Sequence, residues 1–395
     1  MFSALTKSTK HFLTAFVLLL MGLLVAEIVL QVTLPPSVSI VSSQVPNEAQ
    51  SAVVPSATVH HELRRLSTIQ IGSGSEFNAN SLGLRGPEPD RRNLKRNLRI
   101  VVLGDETVLG ASHSDDRTMP ALLQKFLAKS TGRPVEVINA GVPGYCPLLS
   151  LIQYRESLLQ LSPSIVVLHF DMTDAADDQV YRRLLRRSEG QQICPNVILN
   201  PPSETASSWG KIANSSALLR FATMRAGLDI TNRPFELTAR YEWMTTTRED
   251  LRLPIQHSLS SLEDLASESE KTGVLLLVST SPMPWQVAAS EHFPETSASI
   301  PLSTGWPLTD DRPNKILAAV CERHTIMFCD TTLAFRDFES PEQLFNDDST
   351  ELSAYGNSLY AREVAALMLK TPTFASVFQS DTPISIGSNG VDRTH

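Results

Sequence analysis

Leu98-Arg99-Ile100-Val101-Val102-Leu103-Gly104-Asp105-Glu106 is the stretch on which the fold turns. Its apolar, β-branched middle is too short for a helix and does not alternate with polar residues. It therefore predicts a strand covered on both faces, stopped by Gly104 and followed by acid. Four further runs repeat the pattern: VEVINAG (135–141), SIVVLHF (164–170), GVLLLVS (273–279) and TIMFCD (325–330). Between and after them, helical periodicity covers residues 117–130, 148–161, a segment from near Asp177, 249–272, 312–324 and 353–370. Strand alternating with helix implies a parallel sheet with helices on both faces. Right-handed crossovers make it a three-layer α/β/α sandwich whose sites gather at the carboxyl ends of the strands.

Composition narrows the function. With 42% hydrophobic and 19% charged residues, the 395-residue chain is globular in character. A formal net charge of −8 argues against a nucleic-acid partner, which calls for clustered Lys and Arg. Cys146, Cys194, Cys321 and Cys329 have no zinc or haem spacing, and neither a metal nor a haem is expected from them.

The chain divides into segments. Lys7, Lys10 and His11 precede an apolar run over residues 12–34, long enough to predict a transmembrane anchor. A signal peptide is the rival, but Leu24-Val25-Ala26 makes a poor cleavage site. Positive charge before the run places the N-terminus in the cytoplasm and the rest outside a single-pass cell membrane. Residues 35–95 then form a linker and docking segment, whose Arg and Lys residues between 77 and 97 are expected on a solvated face. Residues 96–372 form the α/β domain, with an insertion over 188–250, and residues 373–395 form a disordered tail. An exported domain permits the disulfides Cys321–Cys329 and Cys146–Cys194; buried free thiols are the alternative. A loop over 282–307 carries Trp285, His292 and Trp306, with the tryptophans stacking on sugar rings or packing a cap onto the body.

Four blocks then carry a resemblance. They are Val101-Val102-Leu103-Gly104-Asp105-Glu106, Asn139-Ala140-Gly141-Val142-Pro143-Gly144, His169-Phe170-Asp171-Met172-Thr173-Asp174, and Asp348-Ser349-Thr350-Glu351-Leu352-Ser353 running on to Gly356. In order and context they resemble the SGNH (GDSL-like) hydrolase superfamily. The resemblance implies a serine esterase or acyltransferase fold over roughly residues 97–370. It sets Glu106 at the serine position and Glu351 at the histidine position. Asp348 stands at the aspartate position, with Gly144 and Thr173 at the oxyanion-donor positions. Serine and histidine would thus both have become glutamate.

Glu106 cannot be a serine-like nucleophile, and an ionised Glu351 is a weaker base than imidazole. Glutamates at both positions, with Asp105, Asp171 and Asp174 supporting them, would crowd carboxylates that need a proton or cation between them. Three readings stay open. One is a pseudoenzyme that binds a polysaccharide or protein. Another is a Ca²⁺ or Mg²⁺ site drawing on Glu106, Glu351 and Asp174. The third is a remodelled hydrolase or O-acyl transfer enzyme acting on cell-envelope polysaccharide through Glu106, Glu351 and Asp348. Ser112, His113 and Ser114 are a downstream alternative for the nucleophile, and His169 for the base.

Overall fold

The computed structural model describes residues 7–33, 52–71, 75–90, 98–196, 199, 216, 218, 249–287, 312–346 and 350–379. They belong to two compact units, Met1–Ser42 with Pro202–Pro234 and Ser43–Pro201 with Phe235–His395.

The smaller unit contains helix α1 (Lys7–Thr33). Among the described residues no helix is long and apolar enough to cross a membrane. That overturns the anchor expected over residues 12–34, and with it the single-pass placement and the membrane as a partner. The uncharged stretch between His11 and Glu27 is about 15 residues, roughly 22 Å of helix against the roughly 30 Å of a hydrocarbon layer. The Glu27 carboxylate also faces polar protein groups, accepting hydrogen bonds from Ser216 Oγ and Leu218 N, each at 2.9 Å.

The larger unit opens with two hairpins, β1 (Val53–Pro55) with β2 (His61–Leu63) and β3 (Ser67–Ile71) with β4 (Ser75–Ala79). Next come β5 (Leu98–Gly104), helix α2 (Glu106–Leu109), α3 (Met119–Thr131), β6 (Val135–Gly141) and α4 (Pro147–Gln153). Strand β7 (Ile165–His169), α5 (Asp174–Arg182) and a small hairpin, β8 (Arg186–Ser188) with β9 (Gln191–Ile193), follow. The unit continues through α6 (Glu249–Thr272), β10 (Leu275–Thr280), α7 (Arg312–Arg323), β11 (Met327–Asp330) and α8 (Ala354–Lys370) to α9 (Pro372–Gln379), a helix with Phe374 and Phe378 buried where the disordered tail was expected to begin. Five strands make one parallel sheet in the order β11-β10-β7-β5-β6.

Period-two alternation along β5 separates the layers. Ile100 and Val102 pack with Leu123 and Leu127 of α3 and Tyr360, Val364 and Met368 of α8. Val101 and Leu103 face Leu151 of α4, Leu262 and Leu265 of α6, and Leu317 of α7. All four β5 side chains are fully buried, each contributing roughly 1.5–3 kcal/mol. The expected three-layer sandwich is what the chain forms.

Local signals place the helix ends. Asp105 caps α2 by accepting from Thr107 N, and Gly110 ends it in the left-handed region at φ 65°. Thr118 caps α3, and Ser353 caps α8 by accepting from Gly356 N.

The basic stretch before β5 is not all solvated. Arg85 is buried, donating to the carbonyls of Leu109, Gly110 and His113 and to Asp115 Oδ1. Its backbone also bridges Asn139 on the edge strand β6. A guanidinium with several donors can satisfy several carbonyls of a tight loop at once. The four cysteines are buried free thiols rather than disulfides. Burial pushes the thiols of Cys194, Cys321 and Cys329 up to about 12, which leaves them unreactive.

Candidate functional site

The carboxyl end of β5 sets the site. Asp105 turns inward to cap α2, and Glu106, first residue of that helix, is half-buried beside it. Glu106 Oε2 accepts a hydrogen bond of 2.9 Å from Gly144 N. Gly144 sits in the turn 142–145, closed by Tyr145 N donating to Val142 O at 3.1 Å. Proline at the second position and Gly144 at φ 71° make it a type II turn, whose central peptide presents its N–H to Glu106.

Behind Glu106 lies a buried acidic cluster. Asp171, after β7, accepts from Thr173 N at 2.5 Å and from Thr173 Oγ1 at 2.6 Å. Asp171 N in turn donates to Asp174 Oδ2 at 3.0 Å. Burial, then the Asp171 carboxylate, then Glu106 push the Asp105 carboxyl well above the usual carboxylate range. Carboxyls this close in a buried site disfavour one another's ionised form. Asp174 is raised for similar reasons, burial first and then Asp171 and Asp105.

This arrangement corrects two expectations. Among the described residues no group of three or more His, Cys, Asp or Glu could hold a metal ion, so the Ca²⁺ or Mg²⁺ site on Glu106, Glu351 and Asp174 is withdrawn. Nor does any finding mark Glu106 and Glu351 as replacements for a catalytic serine and histidine. The carboxylates that act on Asp105 are those of Asp171 and Glu106, and Glu351 uses its backbone carbonyl to accept from Asn346 N. Asp348 lies outside the described residues.

The remaining candidates are engaged in structure. The Thr173 hydroxyl is buried and donates to Asp171 Oδ1. His113 Nε2 donates to Leu352 O at 2.7 Å, Ser114 Oγ donates to Asp116, and Ser112 Oγ accepts from Asn346 Nδ2. Trp285 is buried in the core beside Met283, so it packs the body; Trp306 and His292 lie outside the described residues. His169 Nδ1 is 2.7 Å from Tyr360 Oη, which is 2.6 Å from Ser279 Oγ. Its Nε2 faces Asp105 Oδ1 at 4.0 Å without a hydrogen-bond partner. Burial lowers the imidazole to about 4, so it is neutral at neutral pH.

Sequence reasoning missed Tyr360, Ser279 and two buried histidines, His60 and His61, whose ring nitrogens meet beside the Gly144 turn. The adjacent His-His pair was the one visible signal.

No family profile matches this chain, and no curated protein does. Solved structures do, several of them described as lipases, acylhydrolases or esterases. A lipolytic protein of the G-D-S-L family from Desulfitobacterium hafniense DCB-2 is 12% identical, with TM-score 0.36, covering 69% of this chain and 99% of its own. A lipase/acylhydrolase from Enterococcus faecalis is 15% identical, with TM-score 0.37, covering 68% and 93%. An acetyl-xylooligosaccharide esterase from Geobacillus Stearmophilus is 12% identical, with TM-score 0.37, covering 69% and 95%. At these scores they are likenesses only, and nothing about activity is taken from them.

Proposed function

We propose that the carboxyl edge of the sheet is a non-covalent binding site for a small ligand that carries positive charge and hydrogen-bond donors, with Glu106 as its acceptor. The observation that carries this reading is the 2.9 Å hydrogen bond from Gly144 N to Glu106 Oε2. Acyl transfer needs backbone amides free to meet a developing oxyanion. Here that amide already faces an anionic group of the chain itself, and an oxyanion in the same place would meet like charge. The same bond holds the carboxylate in one orientation, which lowers the entropy lost when a donor arrives.

The test is calorimetric titration of the full chain with methylguanidinium and with spermidine. Saturable binding is expected, weakened about tenfold or more in Glu106→Gln, the loss appropriate to one charge-assisted hydrogen bond. Binding that Glu106→Gln leaves unchanged, or no binding by either probe, would overturn the proposal. So would hydrolysis of p-nitrophenyl acetate by the natural protein that Glu106→Ala abolishes.

A further inference from the structure

His61 Nε2 lies 2.8 Å from Pro143 O, and a carbonyl only accepts, so that nitrogen carries the proton. His61 Nδ1 lies 2.8 Å from His60 Nδ1, so one of these two nitrogens donates and the other accepts. With its proton on Nε2, a neutral His61 accepts at Nδ1 and His60 donates. Burial holds both rings neutral, lowering His60 to about 4 and, with the His60 charge adding to the effect, His61 to about 3.

The pair is itself held in place. His60 has a left-handed backbone at φ 61°, uncommon for a non-glycine residue. Its carbonyl accepts from Ser56 N at 2.8 Å and Asn196 Nδ2 at 3.0 Å. His61 is in strand β2 and is 2% exposed, and its carbonyl accepts from Tyr145 Oη at 2.7 Å. The ring of Tyr181 packs edge-on against His60.

Pro143 O and Gly144 N belong to one planar peptide unit. Its carbonyl is gripped by His61 and its N–H by Glu106. This peptide is the central one of the type II turn, the unit whose half-rotation converts type II into type I. Half-rotation would aim the Pro143 carbonyl at the Glu106 carboxylate and the N–H away from it. Glycine at the third position offers little steric resistance to that rotation.

We infer that the His60–His61 pair is a positioning device that locks the Pro143–Gly144 peptide with its N–H toward Glu106, through the hydrogen bond from His61 to the Pro143 carbonyl. The inference rests on the site proposed above and gives the hairpin of β1 and β2 a role in it. A donor on the carbonyl also polarises the peptide and strengthens the N–H as a donor.

The experiment follows the Gly144 amide by nuclear magnetic resonance in the full chain, comparing the natural protein with His61→Phe, His61→Gln and Glu106→Gln. Phenylalanine fills the ring's space without a donor, whereas glutamine restores an N–H that reaches Pro143 O. In His61→Phe the Gly144 amide is expected to exchange with solvent about tenfold faster and its proton to move upfield. In His61→Gln both are expected to return toward the natural values. A merely structural histidine would not be rescued by glutamine at this one amide. The clamp is overturned if Gly144 behaves alike in the natural protein and His61→Phe, or if His61→Gln is as altered as His61→Phe. Should His61→Phe not fold, His61→Gln decides alone: natural protection of Gly144 supports the clamp, and loss of protection overturns it. A Gly144 amide indifferent to Glu106→Gln would instead sink the site on which the inference rests.

Discussion

Gly141→Ala is expected to destabilise the protein by about 3 kcal/mol or more. A Cβ on Gly141 would lie 2.3 Å from Leu109 N, 2.8 Å from Val108 C and 2.9 Å from Asp105 O. All three are backbone atoms in or capping α2, so no side chain can rotate away to make room. The end of β6 and the helix carrying Glu106 are also tied by Asn139, whose Oδ1 accepts from Gly141 N and whose Nδ2 donates to Val108 O. Accommodating the methyl group therefore means moving α2 and Glu106 with it. Denaturant unfolding of the variant should show a much lower midpoint, and the Gly144 amide resonance should shift as well. A loss below about 0.5 kcal/mol would mean that strand and helix do not approach as described.

Asp105→Asn is expected to do the opposite, stabilising the protein at pH 7 to 8. A carboxyl whose folded pKa is raised keeps its proton where the unfolded chain has released it. Between the unfolded value, near 3.8, and the raised folded value, the native state binds more protons, and stability falls as pH rises. Asparagine carries no charge to neutralise and still accepts from Thr107 N as a helix cap. The variant should therefore lose that downward slope. His60, His61 and His169 work the other way. Their folded values of about 4, 3 and 4 lie below the unfolded 6.5, so their contribution is complete above pH 6.5 and is lost as pH falls toward 4. With the Asp105 slope removed, the histidine slope should stand out, and Asp105→Asn should be more acid-sensitive relative to its own maximum than the natural protein. Stability measured from pH 4 to 8 checks both trends; a variant less stable than the natural protein at pH 8 would contradict the raised Asp105 carboxyl.

The sheet was legible in the sequence because its information is local. Runs such as 98–104 and 135–141 are apolar without alternation, and the observed strands Leu98–Gly104 and Val135–Gly141 coincide with them. The carboxyl-end position of Asp105, Asp171 and Asp174 follows from the same register. What the sequence concealed depends on partners far apart in the chain. Tyr360 meets His169 across 191 positions and His61 meets Pro143 across 82, so no spacing announces either contact. Arg85 looks like one more surface charge until the carbonyls of Leu109, Gly110 and His113 are seen to converge on it. The run over 12–34 did predict a helix, but hydropathy alone gave Glu27 no protein partner, whereas Ser216 and Leu218 supply one.

Everything proposed for the site depends on Gly144 donating to an ionised Glu106. The direct measurement is the Gly144 amide proton shift as pH is lowered from 7 to 3, in the natural protein and in Glu106→Gln. The resonance should lie downfield at neutral pH, move upfield in a single titration as Glu106 takes up a proton, and show no such titration in the variant. A Gly144 resonance that ignores pH, or that titrates identically without the Glu106 carboxylate, would contradict it.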